Sequence, residues 1–117
     1  MPHEIRKYLR DIQIHIGYIE DFLGNKSDFT SFQRDLATQY AVQRALEIIG
    51  EAANSLRKQD ATIAISNLRQ IVATRNILIH AYDSVDPAIV WSIIKNHLPM
   101  LKTEIEQLLI NYSNPEN

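Results

Sequence analysis

The sequence predicts an all-α protein that folds as an antiparallel bundle of four to five helices. Apolar residues recur every three or four positions along most of the 117 residues, and this spacing puts them on one face of each helix. The chain contains only three glycines and four prolines, and no stretch shows the alternating apolar and polar residues of a half-buried strand. At this length we expect a single domain over residues 1–117.

The first helix is predicted over residues 3–23. Its apolar seam consists of Ile5, Leu9, Ile12, Ile16, Ile19 and Leu23. Gly24 and Asn25 then stop the helix, because glycine and asparagine tolerate the left-handed backbone at a helix end. Ser27 and Asp28 are the candidate N-caps of the next segment.

A second long helix is predicted from Asp35 to about Lys58. Its apolar face contains Leu36, Tyr40, Gln43, Leu46, Ile49, Ala53 and Leu56. Gly50 in its middle costs about 1 kcal/mol relative to alanine, which a helix accepts where another backbone approaches closely. Two interpretations of this position are open: tight packing alone, or an approach that lets Glu51 reach Arg75.

The third long helix, predicted over residues 67–79, is followed by two more helices. Asp86 and Pro87 form a strong helix start, with aspartate as the N-cap and proline at the first helical position. Pro99 must break or kink the helix near residues 96–97, because proline lacks a backbone N–H and disfavours a helical residue before it. The last helix then runs to a polar C-terminal tail.

The residues with the most chemical potential lie together near the end of the third long helix. Arg75 falls on its apolar stripe, where a guanidinium needs a partner. Asn76 and His80 are four residues apart on the neighbouring face, so the amide can contact the imidazole and fix its tautomer. Arg75 and His80 are about 140° apart on a regular helix. They converge only if Arg75 bends round, if the helix ends near His80, or if a second subunit contributes.

Several common sites do not fit the sequence. Di-iron bundles need Glu-x-x-His pairs, whereas isoleucine stands three residues before His15, His80 and His97. The chain has no cysteine and no zinc-protease, P-loop or dinucleotide motif. We therefore expect no metal and no cofactor.

An arginine and a histidine without a metal suit phosphodiester cleavage in RNA. An imidazole can take a proton from the ribose 2′-OH or give one to the leaving 5′-oxygen, and a guanidinium can bind the negative phosphate. The net charge of −2 counts against a nucleic-acid binder. Arg69 and Arg75, together with Arg44 on the preceding helix, can still make a cleft locally positive.

The motif of Arg75, His80 and Tyr82, with the spacing Arg-x4-His-x-Tyr, resembles the signature of the HepT toxins in the HEPN superfamily. Two flanking segments are also similar to that family. Residues 46–53 contain its "IGEA" sequence, and residues 85–99 contain a "VDP…VW…LP" pattern. The resemblance covers essentially the whole chain in order.

This resemblance implies a homodimer whose interface carries a composite site with Arg75 and His80 as catalytic residues. The implied activity is that of a metal-independent endoribonuclease, a toxin that cleaves mRNA or tRNA. The implied partner is a minimal nucleotidyltransferase antitoxin, which transfers AMP from ATP onto Tyr82 and joins the toxin dimer in a larger hetero-oligomer. The helical spacing, apart from the resemblance, makes Asn76 a candidate support for His80 and Glu51 a candidate support for Arg75.

An alternative function belongs to a different class of protein. The chain can be a non-enzymatic helical dimer, an adaptor or a nucleotide-binding interaction module in which Arg75 and His80 only anchor an interface. A nucleotidyltransferase gene beside the gene for this chain would favour the toxin over the adaptor.

The N-terminal sequence predicts no export. It has neither a basic leader nor an apolar run of secretory length, and no long apolar span follows. We therefore expect a cytoplasmic protein without a membrane partner.

Overall fold

A computed structural model describes residues 2–24, 28–80 and 85–113, without the side chains of residues 2, 3 and 113. Within these ranges the chain forms six helices and no strand. They are α1 (Pro2–Leu23), α2 (Phe29–Arg34), α3 (Leu36–Gln59), α4 (Leu68–His80), α5 (Pro87–Asn96) and α6 (Leu98–Ser113). None of these helices is long and apolar enough to cross a membrane. The all-α prediction is confirmed. The six helices are one more than the upper end of the predicted range of four to five.

The helix missing from the prediction is α2, a segment of six residues. Asp35 separates it from α3 with a non-helical backbone, and its carboxylate accepts a hydrogen bond of 3.0 Å from the backbone N–H of Thr38. The buried Gln39 donates from its Nε2 to the carbonyl oxygens of Phe32 at 3.0 Å and Gln33 at 2.8 Å. These bonds satisfy the end of α2 and hold it against α3.

Other helix ends carry the signals that the sequence predicted. Gly24 ends α1 with a φ of +52°, in the left-handed region that glycine adopts at little cost. Asp28 caps α2, since its carboxylate accepts the backbone N–H of Ser31 at 2.7 Å, and this hydrogen bond lowers the pKa of Asp28. Asp86 caps α5 in the same way through Ala88 at 2.9 Å.

Pro99 interrupts the helix where the sequence predicted a break. α5 ends at Asn96 and α6 begins at Leu98. Between them His97 is the C-cap of α5, and its backbone N–H donates to the carbonyl of Ile93 at 2.9 Å. Pro99 is then the second residue of α6, where a backbone N–H would have no partner within the helix.

α1 runs antiparallel to both α3 and α6. Gln59, at the end of α3, donates to Glu4 near the start of α1 at 2.9 Å. Lys102, early in α6, donates to Glu20 near the end of α1 at 2.8 Å. α4 packs along α3, while α2 and α5 pack against each other and complete the bundle.

The buried core contains residues from all six helices. Five of the six predicted seam residues of α1 are buried, and Leu23 is half-buried. Leu9 and Ile12 of α1 and Val42 and Leu56 of α3 have no exposed surface. Burial of one such aliphatic side chain contributes about 1.5–3 kcal/mol. The packed faces of α1 and α3 therefore form the support on which α4 and its polar residues lie.

Candidate active site

The motif helix α4 comes very close to α3 where Arg75 faces Gly50. A methyl group on Gly50 would overlap the β carbon of Arg75, and it would lie 2.9 Å from the γ carbon and 3.3 Å from the α carbon. The β and α carbons are fixed to the backbone of α4, so rotation of the Arg75 side chain would not relieve the overlap. Glycine is therefore what allows the two helices to meet here, as the tight-packing interpretation requires.

The second interpretation, that Glu51 reaches Arg75, also agrees with the geometry. Glu51 Oε1 lies 3.9 Å from Arg75 Nη2, at the long end of the range for an ion pair. The Glu51 side chain is 52% exposed, and water screens such a pair strongly. Glu51 therefore offsets the charge of Arg75 without saturating its hydrogen-bond donors.

Arg75 keeps an unused donor. Its Nη1 donates to Asn76 Oδ1 at 3.0 Å, whereas its Nε is buried and has no partner in the described part of the chain. The side chain is 31% exposed, so the guanidinium leaves the helix interface at the surface. A buried donor without an acceptor is unfavourable. An anion such as a phosphate would bind instead to the terminal Nη nitrogens, since the side chain reaches the surface and Glu51 lies 3.9 Å from Nη2.

His80 is the last residue of α4, and its side chain is exposed. It shares the solvent face of α4 with Arg69, Ala73 and Asn76, which are all exposed as the helical period predicts. Among the described residues, Asn76 and His80 form no hydrogen bond with each other, and the amide oxygen of Asn76 accepts from Arg75 instead. Asn76 thus orients the guanidinium rather than the imidazole.

Tyr82, the predicted acceptor of AMP, lies outside the described residues together with the rest of residues 81–84. Its relation to the site is known through the sequence alone, two positions after His80. Its role stays a prediction.

A groove of about 320 Å³ lies between α3 and α4, one helical turn beyond Arg75. We call it the α3–α4 groove. It is lined by Tyr40, Gln43, Arg44, Glu47, Leu78 and Ile79. From the helical period alone, Tyr40 and Gln43 belong to the apolar face of α3, and no function follows for either. Gln43 could have been singled out from the sequence, because it is a polar residue at a position where the helical period predicts an apolar one.

Three arginines of α3 and α4 are candidates for binding a phosphate. Arg69 and Arg75 lie on α4, and Arg44 lies on α3 with its guanidinium 3.4 Å from the carboxylate of Glu47. Glu47 and Glu51 reduce the net charge of the region. Binding of a phosphate here must therefore depend on directed hydrogen bonds more than on long-range attraction.

The described residues contain no group of three or more His, Cys, Asp or Glu side chains arranged to hold a metal ion. The candidate site consists of Arg75 with its partners Asn76 and Glu51, and of His80, which follows Arg75 by five residues on the same helix.

Residues 12–108 match the model of a protein family described as "Ribonuclease HepT-like". The matched range contains Gly50, Glu51, Arg75 and His80, and it covers most of the chain. The chain therefore belongs to the HepT-like ribonucleases of the HEPN superfamily, as the resemblance of its motif predicted.

Individual relatives agree with this assignment. A protein of Thermococcus cleftensis named "Probable ribonuclease HepT" is 38% identical over 112 residues, which is 92% of this chain and 98% of that protein. Two proteins of Methanocaldococcus jannaschii, provisionally named as RNases, are 34% identical over 105 residues and 32% identical over 114 residues. These alignments cover 88% and 93% of this chain and 94% and 95% of the two relatives. No solved structure gives a significant match.

Replacing Gly50 by alanine should destabilise the protein, because α3 and α4 would have to separate. Overpacking of this kind lowers the free energy of unfolding by about 1–3 kcal/mol, which urea denaturation measures. Gly17→Ala is the matched control, since a methyl group there meets nothing within 4 Å. That change should raise the free energy of unfolding by about 0.5–1 kcal/mol, because alanine is favoured over glycine inside a helix. Equal stability of the two variants would contradict the packing described here.

Proposed function

We propose that this protein is a metal-independent endoribonuclease and the toxin of a toxin–antitoxin module. Membership of the HepT-like ribonuclease family supports the general activity. The observation that carries the proposal is the guanidinium of Arg75, which reaches the surface with 31% of its side chain exposed and lies 3.9 Å from Glu51. This guanidinium and the exposed His80 supply the cation and the imidazole that cleavage of RNA without a metal needs.

The proposed reaction transfers a phosphoryl group within the RNA chain. One imidazole takes the proton of a ribose 2′-OH, and the 2′-oxygen attacks the adjacent phosphorus. The bond from phosphorus to the 5′-oxygen breaks, and a second imidazole gives its proton to the leaving oxygen. The products are a 2′,3′-cyclic phosphate and a 5′-OH end. Arg75 binds the negative charge that builds up on the five-coordinate phosphorus.

In this proposal the two imidazoles come from two copies of the chain. The motif supplies one histidine per chain, and a two-fold dimer can place two motifs across one cleft. The exposed side of α4 also carries an apolar residue, Ile77, with 49% of its surface accessible. A second copy packed on this side would cover Ile77 and would bring its own His80 into the cleft.

The proposed substrate is mRNA or tRNA, and the proposed place of action is the cytoplasm. His80 is exposed, and the α3–α4 groove beside it is open to solvent. Such a site suits a polymer that passes over the surface better than it suits a small molecule enclosed in a cavity.

The proposed antitoxin is a minimal nucleotidyltransferase that modifies Tyr82 and binds the toxin dimer. The phenol oxygen of Tyr82 attacks the α-phosphorus of ATP, pyrophosphate leaves, and the phenol proton passes to a base on the antitoxin or to water. Each added AMP places a negative phosphate and a bulky nucleoside two residues from His80. These groups would compete with RNA for Arg75 and would block the cleft.

Replacing His80 by alanine should lower RNA cleavage by about two to four orders of magnitude, the contribution of a positioned general acid or base. The protein should stay folded, because His80 is exposed. His15→Ala is the matched control, since His15 lies on α1 with its Nδ1 2.7 Å from the carbonyl oxygen of Asp11. The assay is cleavage of total RNA with and without a chelator. Full cleavage by folded His80→Ala, or loss of wild-type cleavage on adding the chelator, would refute the mechanism.

Tyr82→Phe should prevent AMP transfer, because it removes the acceptor oxygen and keeps the ring. Incubation with the cognate nucleotidyltransferase and ATP should add the mass of AMP to the wild-type protein. The control Tyr18→Phe, which changes an exposed tyrosine of α1, should be modified as well. The unmodified Tyr82→Phe protein should continue to cleave RNA in the presence of the antitoxin. If intact-mass spectrometry shows full modification of Tyr82→Phe, the acceptor is another residue.

A further inference from the structure

We propose that the α3–α4 groove holds a nucleobase of the RNA substrate, with Gln43 binding the polar edge of the base and Tyr40 stacking on its face. The proposal rests on the proposed ribonuclease function. It adds a binding site that selects the nucleotide next to the cleaved phosphate.

Gln43 is a buried amide without a hydrogen-bond partner in the described part of the chain. Only 7% of its surface is exposed. In that part of the chain, side-chain nitrogen or oxygen atoms that have neither accessible surface nor a hydrogen-bond partner belong to Arg6, Arg75 and His97. Gln43 is not among these residues, so its amide atoms keep some accessible surface. The amide of Gln43 therefore opens into the groove that it lines. In the empty groove only water can bind this amide, so a ligand that fills the groove has to supply a donor and an acceptor of its own.

Gln39, one turn earlier on α3, shows what a structural glutamine does in this protein. It is as deeply buried, with 6% of its surface exposed. Its Nε2, however, donates to two carbonyl oxygens at the end of α2. Gln39 thus has a role in the fold, whereas an apolar side chain of the same size would pack at Gln43 without leaving an amide unpaired.

The other walls of the groove suit the flat faces of a base. Tyr40 is 57% exposed although it lies on a helix with a large buried face. Leu78 and Ile79 of α4 add an apolar surface on the opposite side. Proteins that bind single-stranded RNA commonly stack unpaired bases on exposed tyrosine rings and bind their edges with amides.

The position of the groove fits a nucleotide whose phosphate is bound by Arg75. Gln43 precedes Gly50 by seven residues, which is two helical turns and about 10 Å along the same side of α3. On α4, Leu78 and Ile79 follow Arg75 by one turn. The groove therefore begins one turn from the guanidinium and lies at the end of α4 that carries His80.

We take adenine as the bound base for two reasons. A glutamine amide can bind its N7 and N6 together, and its two fused rings offer Tyr40 a larger stacking surface than the single ring of cytosine or uracil. Arg44 and Glu47 also line the groove, and they pair with each other at 3.4 Å. The amide of Gln43 pairs with no described side chain, so its donor and its acceptor are available to a base.

The test is equilibrium binding of short RNAs to the full-length protein, measured by fluorescence anisotropy. The probes are labelled hexamers of adenine, cytosine or uracil in which fluorine replaces every 2′-OH, so that the 2′-oxygen cannot attack. The wild-type protein should bind the adenine hexamer roughly 10-fold more tightly than the other two, which is within the range of a bidentate base contact. Gln43→Leu should remove this preference. Tyr40→Ala should weaken the binding of all three hexamers by about 10-fold, because every base has a flat face that can stack on the ring.

Two matched controls change exposed residues of α1, Gln13→Leu and Tyr18→Ala, and both should keep the wild-type affinities. Gln43→Glu is a second variant at the tested position. It keeps the size of glutamine but has no N–H donor and adds a negative charge, so it should bind all three hexamers more weakly and should also lose the preference for adenine even if Gln43→Leu folds poorly.

An adenine preference that survives in Gln43→Leu and Gln43→Glu overturns the proposal, and so does a wild-type protein that binds no hexamer. A cleavage assay on unmodified RNA distinguishes this failure from that of the proposed function. Cleavage that requires His80, together with an unchanged preference in the Gln43 variants, removes the base site alone. A preference that requires Gln43, without cleavage of any RNA, retains the base site and removes the ribonuclease.

Discussion

The contact of Arg75 with Gly50 is the interaction on which the candidate site depends. α3 and α4 approach so closely that only glycine fits opposite the stem of Arg75. The stem is therefore fixed, and the guanidinium has to leave the interface at the surface, where it bonds to Asn76 and lies near Glu51. A lysine would present a single flexible ammonium at this place, whereas the planar guanidinium can bind a phosphate through two parallel hydrogen bonds.

Most helix positions follow from local signals in the sequence. The caps at Asp28 and Asp86, the stop at Gly24 and the break at Pro99 act within one turn of the backbone, so they can be recognised without the fold. The division between α2 and α3 at Asp35 could not be recognised in this way. It is held by bonds from Gln39 to the end of α2, which exist only after the two helices pack. The predicted bounds of α4 differ from the observed ones by one residue at each end.

The candidate site could be predicted only in part. The helical period places Arg75 toward α3 and His80 toward solvent, and the glycine before Glu51 indicates a close approach. The partner of Asn76 could not be predicted, because Arg75 and His80 are both within its reach and the direction of the guanidinium decides between them. The α3–α4 groove was missed for a related reason. A helical period gives the direction of a side chain but not whether a neighbouring helix covers it, and Tyr40 is largely uncovered.

The most direct test of the central claim is a crystal structure of the protein with an RNA that carries fluorine at the 2′ position of the cleavage site. We expect two copies of the chain around one RNA strand, with a phosphate oxygen about 2.7–3.2 Å from a terminal Nη nitrogen of Arg75 and the His80 side chains of the two copies on opposite sides of that phosphate. RNA bound away from Arg75, for example along the basic residues Arg6, Lys7 and Arg10 of α1, would contradict the claim that the packing at Gly50 presents Arg75 to the substrate.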